Sequence, residues 1–392
     1  MMERWELPEG WEWKRLKTLV NVNYGKGLSE RQRRGGHVPV YGANGVVGFH
    51  NVPITKGQTI VIGRKGSAGA INWSEIACWP IDTTFFIDEF SEIIYPKFLY
   101  YFLRSQQVDR LQQSAAIPGL NRNMLYSVEV PIPYPDDPAR SLAEQRRIVA
   151  RLELLLGETR AMRDDIDAMR RDLAQVMESA LAEVFPNPNG EMPKGWGWKS
   201  IDDLFELQQG ASMSPRRRQG RNPQPFLRTK NILWGEVDTS DVDVMDFTED
   251  EIERLKLRKG DLLICEGGNV GRAAVWEDQL PLVMYQNHIH RLRRKSDDAD
   301  PKFYVYWMKA AYQLFKIYQG EESRTAIPNL SGRRLKNFLV PTTSLTEQRR
   351  IVAYLEHIAE EIRAMDDLLA QDLRSLEALE QSILAAAFRG EV

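Results

Sequence analysis

Two stretches of the chain carry apolar residues at alternating steps of four and three. The first runs through Ile148, Leu152, Leu155, Met162, Ile166, Met169, Leu173 and Val176, with Thr159 as a polar interruption. The second runs through Ile351, Leu355, Ile358, Ile362, Met365, Leu369, Leu376, Leu379 and Ile383, interrupted by Asp372. A mean spacing of 3.5 residues keeps one stripe facing a partner helix, which is the coiled-coil condition. Ser141-Leu142-Ala143-Glu144 and Ser344-Leu345-Thr346-Glu347 fit the capping box that opens a helix. No proline falls between Ser141 and Phe185 or between Ser344 and Phe388. Each helix can therefore run about 44 residues, roughly 66 Å at 1.5 Å per residue. No adjacent globular surface matches that length, so the pattern predicts that the two helices pair with each other, antiparallel because a folded block separates them.

Outside these helices the chain repeats itself. Leu7-Pro8-Glu9-Gly10-Trp11-Glu12-Trp13-Lys14 returns as Met192-Pro193-Lys194-Gly195-Trp196-Gly197-Trp198-Lys199, and Gly25 and Gly210 keep the same offset. Ala116-Ile117-Pro118-Gly119-Leu120 returns as Ala326-Ile327-Pro328-Asn329-Leu330, at a larger offset. Glu144-Gln145-Arg146-Arg147-Ile148-Val149-Ala150 returns as Glu347-Gln348-Arg349-Arg350-Ile351-Val352-Ala353, and Phe185 matches Phe388 in that register. The order is a variable block, a constant block, and then both again. It predicts an α+β chain with pseudo-twofold internal symmetry: two globular α/β domains at 1–138 and 189–342, joined by long antiparallel coiled-coil helices at 139–188 and 343–392.

At 392 residues, with 43% hydrophobic and 27% charged positions, the chain is long enough for two or three folded units. No run approaches the roughly 18 apolar residues of a membrane span, and the start lacks a signal-peptide core, which predicts a cytoplasmic protein with no membrane partner. Cys78 and Cys265 allow neither a disulfide framework nor a zinc cluster. The formal net charge of −3 hides an asymmetry: the two helices carry −7, which leaves +4 on the rest. Basic heads on acidic helices suit a polyanionic partner.

The cations cluster in matching places. Arg216, Arg217, Arg218, Arg221, Arg228 and Lys230 lie between Gly210 and Gly235 with no acid, beside Asn231. The first half holds Lys26, Arg31, Arg33, Arg34 and His37, and Arg31 and Arg33 overlay Arg216 and Arg218 in the repeat register. Arginine forks hold phosphates or read guanine O6 and N7, so these loops are candidates for contact with double-stranded DNA. A second shared element follows a short strand: Gly66-Ser67-Ala68-Gly69 and Gly268-Asn269-Val270-Gly271. A tight turn explains these glycines better than a phosphate cradle. Arg64, Lys65, Asn269 and Arg272 around them are second-tier contacts. Gln286 and Asn287 in a polar strand, and Asn121, Arg122, Asn329, Arg333 and Arg334 by the Ile-Pro loops, complete the candidates, although any one of them could equally cap a turn.

Catalytic parts are not found. The sequence has no Gly-x-x-x-x-Gly-Lys-Ser/Thr loop, and Asn187-Pro188-Asn189-Gly190 lacks the second proline and the aromatic of an amino-methyltransferase signature. His288 and His290 have no neighbouring ligands that would suggest zinc, so no metal or cofactor is expected in this chain. With Ala387-Phe388-Arg389-Gly390-Glu391 closing the chain, the tandem order of these motifs resembles the specificity subunit of Type I restriction–modification systems over its whole length. The resemblance implies two target-recognition domains, each reading half of an asymmetric, interrupted DNA site. It implies helices that set the spacing and dock two methyltransferase subunits, with S-adenosylmethionine on those partners and ATP and Mg on a translocase–nuclease subunit. The competing readings are a coiled-coil scaffold whose basic heads bind RNA or anionic proteins, and a self-contained restriction enzyme.

Overall fold

The computed structural model describes residues 5–106, 120–267, 270–317 and 330–391. Contacts divide the chain into a first unit, Met1–Asp167 with Ala370–Val392, and a second, Ala168–Leu369. Each unit thus takes in a segment of both long helices.

The first unit is built on a four-stranded antiparallel sheet in the order Asn23–Tyr24, Thr84–Ile87, Thr59–Gly63, Ile71–Ser74. Beside it, Val38–Gly42 pairs antiparallel with Gly45–His50 and parallel with Trp79–Pro80. Trp11–Arg15 and Glu129–Pro133 close a two-stranded ribbon at the base. The second unit repeats this plan strand for strand. Its four-stranded sheet runs Phe205–Gln209, Ile289–Arg294, Leu262–Cys265, Ala273–Val275. Pro223–Leu227 pairs with Asp243–Asp246 and, in parallel, with Met284–Tyr285, while Gly197–Ser200 pairs with Leu339–Thr342. Mostly antiparallel sheets packed against helices make each unit α+β.

Strand alternation explains how one sheet serves two cores. Leu262 and Ile264 face the helix Pro301–Gln313 with Phe303, Trp307 and Met308, while Leu263 and Cys265 face Phe226, Met245, Trp276 and Tyr285 on the other side. In the first unit Ile60 and Ile62 face Phe98, Leu99 and Phe102 of the helix Pro96–Ser105, but Val61 shares its far side only with Tyr41 and Cys78 in the corresponding cluster. The longer second block therefore goes into a larger second core. Both cysteines are free and buried, and burial raises both thiols, Cys265 to about 11.

The long helices are Pro138–Val184 and Leu345–Phe388. Ser344 does cap the second: its Oγ accepts from Glu347 N at 3.3 Å. Ser141 does not cap the first, which starts a turn earlier with proline in its first turn and Asp137 Oδ1 accepting from Arg140 N at 3.1 Å. Ser141 is instead buried, where its Oγ accepts from Gln145 Nε2 at 2.9 Å.

Within each unit the two helices run antiparallel. In the first, Thr159 Oγ1 donates to Glu380 at 3.3 Å and Arg163 meets Glu380 and Glu377. In the second, Arg170 faces Asp366 at 3.0 Å and Tyr354 OH donates to Glu183 at 3.0 Å. Ile148 and Leu152 are buried in the core of the first unit and Ile351 and Leu355 in that of the second, Ile166 is buried, and Leu155, Ile358 and Ile362 are half-buried. Met162 (52% exposed) and Met365 (49%) are not packed, and Met169, Val176 and Leu379 are exposed with them. From Leu156 onward the facing row lies one position on from the predicted one and keeps its seven-residue spacing. Leu156, Arg163, Arg170 and Met177 take the places of Leu155, Met162, Met169 and Val176, and half-buried Leu373 takes that of Asp372. The cross-helix ion pairs come from this shifted row. Among the described residues, no helix is long and apolar enough to cross a membrane.

Candidate nucleic-acid interface

The arginines of the second unit do not share one fate. Arg217 forks onto Glu251 at 2.9 and 2.5 Å, Arg218 and Arg228 both lean on Asp243 at 3.4 Å, and Lys230 pairs with Asp241. The window from Gly210 to Gly235 contains no acid, but the strand and helix that follow it, Asp243–Asp246 and Glu249–Leu255, bring acids against it. These four cations are engaged inside the unit. Arg216 and Arg221 are exposed, with no acid within 4 Å among the described residues. Asn231 is buried and structural: it accepts from Arg228 N at 2.8 Å and donates to the carbonyls of Asp238 and Asp241.

The Arg217 fork holds the Glu251 carboxyl down to about 2, well below its ordinary 4.5. A depressed carboxyl contributes stability that is complete above its unfolded value and is lost as pH falls toward the folded one. Melting of the wild type is therefore expected to weaken more steeply than that of Glu251→Gln between about pH 4.5 and pH 2. Equal slopes would show that the pair contributes nothing.

Arg272 Nη2 donates to Thr229 O at 2.9 Å, and Gln286 is buried with its Nε2 3.5 Å from Thr229 Oγ1. Asn287 lends its carbonyl to Gln209 Nε2 at 2.9 Å. Arg333 and Arg334 stand on the exposed side of the short helix Gly332–Lys336. Asn269, Asn329 and the two Ile-Pro turns lie outside the described residues.

In the first unit the cations meet aromatic rings instead of acids. Lys26 sits 5.9 Å from the Trp79 ring, whose Nε1 donates to Lys26 O at 2.8 Å. Arg64 lies over Tyr24 and Phe85 at 5.5 and 5.8 Å, and Arg122 over Tyr24 and Tyr126 at 5.4 and 5.9 Å. Arg33 Nη1 donates to Val47 O at 2.6 Å, while Arg31, Arg34, His37 and Lys65 are exposed. Asn121 caps its helix, accepting from Met124 N at 3.0 Å. Gly66 and Gly69 have φ of +73° and +90°, and Gly69 N donates to Gly63 O at 2.8 Å, so this Gly-x-x-Gly is a tight turn between strands. Charge counting missed Tyr24, Trp79 and Tyr126, the flat partners of these cations.

His288 and His290 do not act together: His288 is exposed before the strand, while His290 is fully buried and its pKa is lowered by burial. Among the described residues no group of three His, Cys, Asp or Glu side chains could hold a metal ion.

Comparison with known proteins places this architecture. The model of the Type I restriction modification DNA specificity domain matches twice, at residues 8–166 and 193–371. The EcoKI specificity subunit of Escherichia coli K12 is 22% identical, over 100% of this chain and 91% of its own length. The EcoBI specificity subunit of Escherichia coli is 21% identical over 86% and 74%. A solved chain described under complex assembly and conformational transition of the type I R-M system superposes with a TM-score of 0.76, at 23% identity over 99% of this chain and 100% of that one. The HsdS subunit of Thermoanaerobacter tengcongensis gives 0.57, at 22% identity over 99% of each. With both halves matched by one family model, and each half built on the same strand order, the chain belongs to the Type I restriction–modification DNA specificity family.

Proposed function

We propose that the chain is the sequence-reading subunit of a Type I restriction–modification complex and carries no catalysis of its own. Each unit reads one half of a bipartite site in double-stranded DNA. The two long helices form one antiparallel coiled coil with pseudo-twofold symmetry, set the spacing between the half-sites, and dock two methyltransferase subunits and, through them, the restriction and translocase subunits. S-adenosylmethionine would then belong to the methyltransferase, and ATP with Mg to the translocase.

The observation that carries this reading is a duplicated fold with an unduplicated surface. The sheets, the ribbon and the helix entries recur strand for strand, but the polar groups they present differ: cations on aromatic rings in one unit, cations engaged by acids in the other. A common frame with two surface chemistries suits a protein that reads two different half-sequences. The apolar row left exposed by the helix pairing, Met162, Met169, Val176, Met365 and Leu379, supports docking of a partner on the helices.

The test is long-read methylation sequencing of host DNA with and without the gene. A two-part, interrupted adenine-methylation motif is expected to vanish on deletion and to return when the gene is restored. An unchanged methylome, with no methyltransferase co-purifying with the chain, would leave the scaffold reading in its place.

A further inference from the structure

The two units contain one position that is the same in backbone and opposite in chemistry. In the first, Leu120 N donates to Arg64 O at 3.3 Å; in the second, Leu330 N donates to Glu266 O at 3.0 Å. The turn just beyond is likewise shared: Gly63 N to Ala70 O and Gly69 N to Gly63 O correspond to Cys265 N to Arg272 O and Gly271 N to Cys265 O. Arg64 and Glu266 are thus structural equivalents. On the neighbouring strands Tyr24 pairs with Phe85, and Gln209 pairs with His290. The next residue keeps the match, since Gly25 N donates to Thr84 O and Gly210 N to Ile289 O. The repeat register of the Ile-Pro loops sets Arg122 against Gly332, the first residues of corresponding short helices.

The first set is cationic and flat. Tyr24 is 53% exposed, with the guanidinium groups of Arg64 and Arg122 at 5.5 and 5.4 Å from its ring, beside an open cavity of about 530 Å³ that Tyr24, Asn121 and Arg122 help to line. Neither arginine has a carboxylate within 4 Å among the described residues, so both retain donors for an outside acceptor. The second set is an acid held by an amide. Gln209 Nε2 donates to Glu266 Oε2 at 3.0 Å, and Glu266 lies 3.7 Å from Nε2 of buried His290. A carboxylate edge offers acceptors and no donors, so it suits an amino group and not a phosphate. The Glu266 side chain keeps 11% of its surface open, and exposed Gln209 extends the polar edge beside it.

We infer that this one position in each unit decides which base its unit accepts: Arg64 and Arg122 about Tyr24 take the acceptor edge of guanine, and Glu266 with Gln209 takes the amino group of adenine or cytosine. Arginine matches guanine O6 and N7, whereas carboxylate and amide oxygens accept from exocyclic amines. The inference rests on the DNA-reading function proposed above and adds which residues discriminate.

The experiment uses the full chain co-expressed with its methyltransferase, with host genomic DNA as substrate and long-read methylation mapping as readout. Arg64→Gln and Arg122→Ala are expected to relax one base position in one half-site. Glu266→Gln and Gln209→Ala are expected to relax one position in the other half-site. In each case modification of sites bearing the substituted base should rise roughly ten-fold relative to the cognate site. Gln209 is exposed, so its truncation keeps the test open if Glu266→Gln does not fold. A uniform fall in methylation with every base preference intact would assign these groups to the phosphate backbone and overturn the inference, as would relaxation spread over both half-sites. A wild-type chain that specifies no bipartite motif overturns the proposed function itself; an intact wild-type motif with unmoved variants overturns this assignment alone.

Discussion

Truncation of Phe388 to alanine is expected to cost the first unit about 3–5 kcal/mol, as for a large aromatic lost from a core that cannot collapse around the gap. Phe388 is fully buried and meets Phe98 and Phe102 edge-on at 5.1 and 5.2 Å, with Leu384 and Ala387 in the same cluster. The backbone around it is equally fixed. Trp5 Nε1 donates to Phe388 O at 3.2 Å, and the helix ends in a Schellman turn in which Gly390 N returns to Ala387 O and Glu391 N to Ala386 O. Gly390 has φ +80°, and a Cβ there would stand 2.5 Å from Pro8 Cγ, so the closing Ala-Phe-Arg-Gly-Glu has a mechanical explanation. Hydrogen exchange separates the units: protection in Thr59–Gly63 should fall by that amount while protection in Leu262–Cys265 stays nearly constant. An equal loss in both strands, or none, would show that the helix end does not hold the first unit.

The duplication and the two long helices could be read from the chain because both depend on local rules: recurring motifs mark equivalent turns, and a 3.5-residue apolar period marks a helix with a partner. The facing row could not be placed to the residue. Met162 and Leu156 are both apolar and about a third of a turn apart about the helix axis, and only the cross-helix pairing of Arg163 with Glu380 and Arg170 with Asp366 decides between them. The start at Pro138 instead of Ser141 was hidden for a related reason. Ser141 satisfies the capping pattern locally, but Gln145 and the loop at Ile93 claim its hydroxyl in three dimensions.

Charge was the more misleading guide at the candidate interface. Within a window of sequence, Arg217, Arg228 and Lys230 have no acid near them, yet the following strand and helix bring Glu251, Asp243 and Asp241 to meet them. Arg64 drew attention only as a second-tier cation, and Tyr24, Gln209 and Glu266 none at all. Their common position shows once the strands are paired, because insertions between the shared motifs shift the register from one offset to another along the chain.

The repeated Glu-Gln-Arg-Arg-Ile is where sequence and structure agree most closely, and its glutamine carries the second large effect. Gln145 is fully buried; its Oε1 accepts from Tyr95 N at 2.8 Å, and its Nε2 donates to Ile93 O at 2.8 Å and to Ser141 Oγ at 2.9 Å. Gln348 repeats the arrangement, accepting from Asp300 N at 2.9 Å and donating to the carbonyls of Asp298 and Thr343. In both units one amide ties the first turns of a long helix to the loop that launches the helix behind the main sheet, while the glutamate and second arginine of the motif bond each other at the surface. Gln145→Leu keeps the volume but strands a buried N–H and a buried C=O, each worth roughly 1–3 kcal/mol, so a loss of about 2–5 kcal/mol is expected in chemical denaturation. Gln145→Glu sharpens the test. A protonated carboxyl can still accept from Tyr95 N and donate to Ile93 O, but an ionised one sets a buried charge against that carbonyl, which raises its folded pKa. Its stability should therefore approach the wild type near pH 4 and fall away as pH rises toward 7, opposite in sign to the Glu251 effect. A Leu variant within about 1 kcal/mol of wild type, or a Glu variant indifferent to pH, would mean that this amide does not fasten the helix to its unit.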